Sequence, residues 1–452
     1  MTLRTGDVIP LRAAARVWFA ISLQTFGGPA GQIAVMQRVL VEETRWIGQQ
    51  RFLFALSYCT LLPGPEAQQL ATYVGWLLNG VRGALVAGVL FILPGAVALL
   101  VLSGVYVTYG ESTVVQALFL GLAPAVIAIV AEAVVRVARR ALLHPALVGL
   151  AVASFGALAL GGVPFPLVVA GAALAGWVLG RVLPGVGEPP ARPADAGPAP
   201  LIADDALHSE PPGARRSATV LGVGLVLWAA PVAAAALLLG PSSILVDQGL
   251  FFSGAALVTF GGAYAVLAFV AQQAVEVYGW LAPGEMVRGL ALAETTPGPL
   301  VMVVQFVAFV GAYRAPGPLD PWVAAVLAAL LTTWVTFVPC FLFILLGAPY
   351  VERLRGNRAL ASALAGITAA VVGVIAHLGL YFALHTLFAA TGVVEQGPLS
   401  LEVPLLDSVR WPAVVVALLA AVLVFRLGWS VLRVLGVCAV VGLVLGLSVG
   451  VG

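Results

Sequence analysis

Apolar runs dominate this chain and are punctuated by short breaks of glycine, proline and polar residues. Four runs in the first half, near 83–108, 113–137, 143–161 and 164–182, are unbroken. Four in the second half, near 321–347, 359–389, 409–427 and 429–450, follow in the same order. A helix needs about 20 apolar residues to cross a bilayer, so these runs read as membrane helices. Ahead of each set stand two interrupted elements. In the first half they cover 11–40, cut at Gly27-Gly28-Pro29, and 52–80, cut at Pro63-Gly64-Pro65. In the second they cover 250–275, cut at Gly261-Gly262, and 285–313, cut at Pro297-Gly298-Pro299. The pieces beside each cut are roughly half to three-quarters of a full crossing, which suits half-spans. One more helix, near 218–240, has no counterpart in the first half.

The cuts repeat in register. Phe26-Gly27-Gly28, Glu42, Trp46 and Pro63-Gly64-Pro65 recur 234 residues later as Phe260-Gly261-Gly262, Glu276, Trp280 and Pro297-Gly298-Pro299, and Thr25 recurs as Thr259. Helix breakers inside apolar spans are tolerated where the freed backbone groups face protein or a water-filled cavity. Two copies in one register point to an internally repeated transporter with its site between the copies. The competing reading, a plain packing kink, fits one copy better than two.

Four segments follow: a first repeat over 1–183, a linker over 184–216, a connecting helix over 217–245 and a second repeat over 246–452. The linker is rich in Pro, Ala and Gly and carries Glu188, Asp195, Asp204, Asp205 and Glu210, a composition that cannot form a packed core.

Arginine placement orients the repeats. Arg136, Arg139 and Arg140 follow the second unbroken helix of the first half, whereas the loop from Thr108 to Thr113 has no arginine. The second half reverses this. Arg353, Arg355 and Arg358 occupy the loop matching Thr108–Thr113, and 391–408 carries Glu395, Glu402 and Asp407 with no arginine. Positive charge favours the cytoplasmic side, so the halves have opposite orientations, and the extra helix supplies the needed crossing. The expected fold is an all-α polytopic membrane protein of two homologous, inverted halves. With Arg4, Arg12 and Arg16 ahead of the first run, the N-terminus and linker are expected in the cytoplasm. The interrupted elements either both span or both form re-entrant hairpins. Hairpins keep Arg38, Arg45, Arg51 and Arg82 together on the cytoplasmic side.

Composition removes other classes. The 452 residues are 61% hydrophobic and 9% charged, against about 25% charged in an ordinary soluble domain. A net charge of +2 gives no reason to expect nucleic acid as a partner; membrane lipid is the expected surround. All basic residues are arginine, so there is no Walker A lysine for ATP-driven transport. Cys59, Cys340 and Cys438 lack metal or pairing spacing and read as core. No cofactor, metal or enzymatic constellation is expected. Trp46 and Trp280 read as interface anchors, Glu132 and Arg136 as an i,i+4 pair, and His377 and His385 as structural histidines.

The candidate chemistry sits at the breaks. Helices starting near Pro29 and Pro65 point unpaired N–H groups and positive dipole ends at the cut, and such ends take anions without a formal cation. The candidate binding set is Thr25, Phe26, Gly27, Gly28, Pro29, Gln32, Pro63, Gly64, Pro65, Gln68 and Gln69 in the first half. Thr259, Phe260, Gly261, Gly262, Thr295, Thr296, Pro297, Gly298 and Pro299 complete it in the second. Amide and hydroxyl donors suit a tetrahedral oxyanion. A carboxylate beside an anion is repulsive, so Glu66 and Glu294 become candidate proton carriers. For Glu66, capping of a helix N-terminus is the alternative.

Phe26-Gly27-Gly28-Pro29, Glu42, Trp46, Phe52 and Leu62-Pro63-Gly64-Pro65 with Gln68, Gly75 and Gly83 resemble the chromate transporter family. The second half departs at Ala263, in place of Pro29, and at Leu300, in place of Glu66. The resemblance implies a secondary transporter of the inner membrane that exports chromate, a mimic of sulfate, and so confers chromate resistance. Sulfate or another oxyanion, an anion channel, and a non-transporting scaffold are the rivals. A homodimer is compatible with this reading.

Overall fold

A computed structural model describes residues 8–60, 62–183, 186, 200–202, 213–260, 263–348, 358–396 and 399–449. Gly261, Gly262 and most of the linker lie outside the described residues. Among the described residues, seven helices are long and apolar enough to cross a membrane. The chain forms two compact units that do not follow the sequence halves. One unit takes residues 1–100, 189–263 and 296–356; the other takes 101–188, 264–295 and 357–452. Each unit therefore combines elements from both repeats.

The first unit opens with α1 (Leu11–Ser22) and α2 (Gly28–Gln37). Gly27, between them, has φ 78°, a left-handed conformation that glycine adopts at no steric cost. After α2 the backbone loosens into a π-helical stretch, Arg38–Glu43, followed by α3 (Gln49–Cys59). The helix α4 (Glu66–Tyr109) starts after the Pro63-Gly64-Pro65 cut and turns back sharply at Asn79–Gly80, where the backbone leaves helical geometry. A Cβ on Gly75 or Gly83 would run into the other residue's carbonyl, so these two glycines let the two arms of α4 lie against each other. The tip is tied down by Val8 N–H donating to Leu78 O (3.0 Å) and Asn79 Nδ2 donating to Ile9 O (2.6 Å). The remaining helices of this unit are α8 (Ala214–Leu239), α9 (Ile244–Val258), α12 (Val303–Arg314) and α13 (Pro321–Gly347). Asp320 caps α13 by accepting from Trp322 N–H and Val323 N–H, next to Pro321 in the first turn. The linker is not wholly detached: Leu201 and Ile202 donate to Arg45 O and Trp46 O, and Ile202 is fully buried.

The second unit holds α5 (Thr113–Ala141), α6 (Pro145–Ala159), α7 (Phe165–Val182), α10 (Ala263–Gln272) and α11 (Glu285–Thr295). It also holds α14 (Arg358–Leu387), α15 (Trp411–Phe425) and α16 (Val431–Val449). Its packing is reciprocal. Helix α5 lies against α15 and α16, and its counterpart α14 lies against α6 and α7. Small residues make these approaches close: a Cβ on Gly176 would meet Gly366, and one on Gly121 would meet Cys438 O. Exchange of equivalent partners is what a two-fold relation between repeats produces. Gln116 early in α5 and Thr386 late in α14 line one cavity, and Val130 meets Gly379 further along, so these two helices run antiparallel.

The unbroken helices fall close to where the apolar runs predict them. A short hairpin of β1 (Thr391–Gln396) and β2 (Leu399–Pro404) was not anticipated; its apolar-polar alternation is weak and it lies in what reads as an acidic loop. Trp46 and Trp280, expected at an interface, are buried at 8% and 6% exposure. Glu132 and Arg136 form the expected ion pair.

Candidate functional site

In the first unit the two Pro-Gly-Pro cuts are each bonded to the other repeat. Gly64 N–H donates to Thr259 O (2.7 Å), and Gly298 N–H donates to Thr25 O (3.0 Å). These are equivalent bonds at an offset of 234, exchanged between the repeats. Gly64 and Gly298 have φ of 124° and 101°, which an L side chain rarely adopts. The local chain path repeats as well. Phe26 N–H donates to Gln24 O and Phe260 N–H to Val258 O, both at 3.1 Å. Thr44 donates to Val39 O and Tyr278 to Gln273 O, closing the π-helical stretches Arg38–Glu43 and Gln273–Val277 that carry Glu42 and Glu276.

The surrounding side chains complete each cut differently. At the second cut, Gln32 Nε2 donates to Gly298 O (2.5 Å), so Gly298 is held at both ends of its peptide by the first repeat. A Cβ on Gly95, in the second arm of α4, would collide with Pro297 O. Gln305 Nε2 donates to Ala96 O (3.0 Å). At the first cut, Gln69 Nε2 donates back to Pro63 O (2.7 Å), and Cys340 of α13 occupies the space a Gly64 side chain would need. Pro94-Gly95 and Pro339-Cys340 are thus matching elements, each with a proline inside its helix and each set against the opposite repeat's cut.

Several predicted donors are already engaged. Thr25 Oγ1 donates to Ser22 O, Thr259 Oγ1 to Ala255 O and Thr295 Oγ1 to Leu292 O. Gln68 Nε2 donates to Thr72 Oγ1 (3.0 Å). What remains is a set of acceptors: Gln68 Oε1, Gln69 Oε1 and Gln305 Oε1 are buried without a partner. Each unmatched buried polar atom costs about 1–3 kcal/mol unless water or a ligand serves it. The first turn of α4 adds donors, because its first i→i−4 bond is Gln69 N–H to Pro65 O and the amides of Ala67 and Gln68 have no acceptor inside the helix. Glu66 begins that turn and is half-buried. Phe26, Gly27, Pro29, Pro63, Phe260 and Pro297 are half-buried, whereas Gly28, Pro65, Thr296 and Pro299 are buried.

Glu294 belongs to the second unit and is 1% exposed. Tyr264 Oη donates to its Oε1 (2.5 Å), and its Oε2 has no partner. Tyr264 was not singled out from the sequence. A phenol two residues after the Gly-Gly pair is the signal that could have found it.

Taken together, these elements define a polytopic membrane protein of two homologous halves with paired helix breaks. The sequence profile of the chromate transporter family matches residues 13–177 and 246–443, and the chain belongs to that family. It is 34% identical to the chromate transport protein of Pseudomonas aeruginosa over 361 residues, covering 78% of this chain and 76% of that protein. It is 27% identical to the chromate transport protein of Cupriavidus metallidurans, covering 83% of each. A probable chromate transport protein of Synechococcus elongatus is also 27% identical, over 83% of this chain and 85% of that one. No solved structure matches the chain.

Proposed function

We propose that the chain is a secondary transporter that exports chromate or a related tetrahedral oxyanion such as sulfate across the inner membrane. The observation that carries this reading is the reciprocal pair of bonds, Gly64 to Thr259 and Gly298 to Thr25, which brings the two Pro-Gly-Pro cuts into one unit. The antiparallel course of α5 and α14 supports inverted repeats, the arrangement from which alternating access is built. The first-turn amides of α4 would take the anion. Gln69 and Gln32, which now cap Pro63 O and Gly298 O, would turn their amides toward it. Glu294, buried with one oxygen unmatched, is the preferred proton carrier; Glu66 sits where it can cap α4.

The test is uptake of labelled chromate and sulfate into proteoliposomes with and without an imposed pH gradient. Saturable, gradient-driven accumulation supports the carrier. Non-saturable flux that only dissipates gradients identifies an anion channel, and absence of flux from folded protein identifies a scaffold.

A further inference from the structure

The second unit contains a cavity of about 610 Å³ that the break site does not use. It lies where the starts of α5, α11 and α15 meet the end of α14. Arg288, Arg410 and His385 line it, with Gln116 and Trp411 beside them. Among the described residues neither arginine is paired with a carboxylate. Arg288 Nη1 donates to Tyr106 Oη (3.4 Å) with its guanidinium 5.7 Å from the Phe119 ring, and Arg410 Nη1 donates to His385 O (3.3 Å). Burial, and then the charge of Arg288, push the Arg410 guanidinium below its ordinary value.

The nearby carboxylates reach the arginines only through other groups, Glu285 through Tyr106 and Glu402 through His385. Glu285 accepts from Tyr106 Oη (2.6 Å) and Ala282 N–H (2.7 Å). Glu402 accepts from Thr391 Oγ1 (2.6 Å) and lies 3.4 Å from His385 Nε2. Two guanidiniums that repel each other across one cavity, neither in direct contact with a carboxylate, are stabilised by an anion. The volume is roughly that of twenty water molecules, so the anion can enter with its hydration shell.

We propose that Arg288 and Arg410 form a cradle for a tetrahedral oxyanion, separate from the helix breaks, that is filled by a free oxyanion or by a lipid phosphate. Binding here is independent of transport through the breaks, so it is read directly. The protein is placed in nanodiscs of phosphatidylcholine and titrated with chromate, which absorbs tryptophan emission. A saturable part of the quenching should vanish in Trp411→Phe. In Arg288→Gln/Arg410→Gln its midpoint should weaken at least about tenfold, while Arg288→Lys/Arg410→Lys keeps most of it. Sulfate should compete.

Discs containing phosphatidylglycerol identify the source. Weaker chromate binding in them, only when both arginines are present, assigns the cradle to the headgroup phosphate; unchanged binding assigns it to the free ion. Quenching of Trp411 that is equal in wild type and in a monodisperse Arg288→Gln/Arg410→Gln protein overturns the proposal.

Discussion

The two Pro-Gly-Pro cuts have the same backbone and different surroundings. Both present a left-handed glycine whose amide is bonded to the threonine before the other repeat's glycine pair. Around Gly64 the neighbours are adaptable side chains, Gln69 and Cys340, and the chain continues through Glu66 into α4. Around Gly298 the neighbour is backbone, at Gly95, and the chain continues through the buried 3-10 turn Leu300–Met302. Duplication kept the scaffold, while chemistry was free to diverge. The first cut is bordered by side chains that can adjust, and the second is packed tightly against backbone.

This contrast can be broken most severely at Gly95. Gly95→Ala drives a methyl group into Pro297 O, which cannot move without the whole cut, so transport should be abolished and thermal stability should fall by about 1–3 kcal/mol. Gly64→Ala should also impair transport strongly, through backbone strain of about 1–3 kcal/mol and contact with Cys340. Here the added Cys340→Ala change should restore part of the activity. A double variant no better than the single would mean that the first cut is as rigid as the second.

Next in size, Glu294→Gln should retain transport at a reduced rate with its pH dependence flattened, and Glu66→Gln should leave the pH profile close to wild type. Proton coupling by Glu294 is discarded if proteoliposomes carrying Glu294→Gln keep the wild-type profile. The smallest effect is expected for Gln32→Ala, which strands Gly298 O, should cost about 1–2 kcal/mol in thermal unfolding and should raise the KM for the anion with little change in maximal rate.

Much of the architecture was legible because helix breakers and apolar runs act locally. Gly27-Gly28 and Pro63-Gly64-Pro65 end helices whatever surrounds them, and the observed ends at Ser22 and Cys59 follow. The reversal at Asn79–Gly80 was legible in the same way, as the gap between two runs. What the cuts bond to was not. The acceptor for Gly64 N–H lies 195 residues away at Thr259, a choice made by packing of the repeats rather than by local sequence. The role of Gly75 and Gly83 also needed the fold, since a glycine inside an apolar run reads equally well as filler. The threonine hydroxyls looked like ligands in the sequence, yet Thr25, Thr259 and Thr295 bond back to carbonyls of the helices they follow or end, a habit of threonine in apolar surroundings.

The central claim is that one oxyanion contacts both repeats at their joined cuts, and cysteine accessibility tests it most directly. Cys59, Cys340 and Cys438 are replaced by alanine, and Gln68→Cys or Thr296→Cys is introduced into this transport-competent background. Both positions should react with a water-soluble thiol reagent, and sulfate should slow both reactions to a similar degree. Labelling that sulfate leaves unchanged at either position, in protein that still transports, would contradict the account.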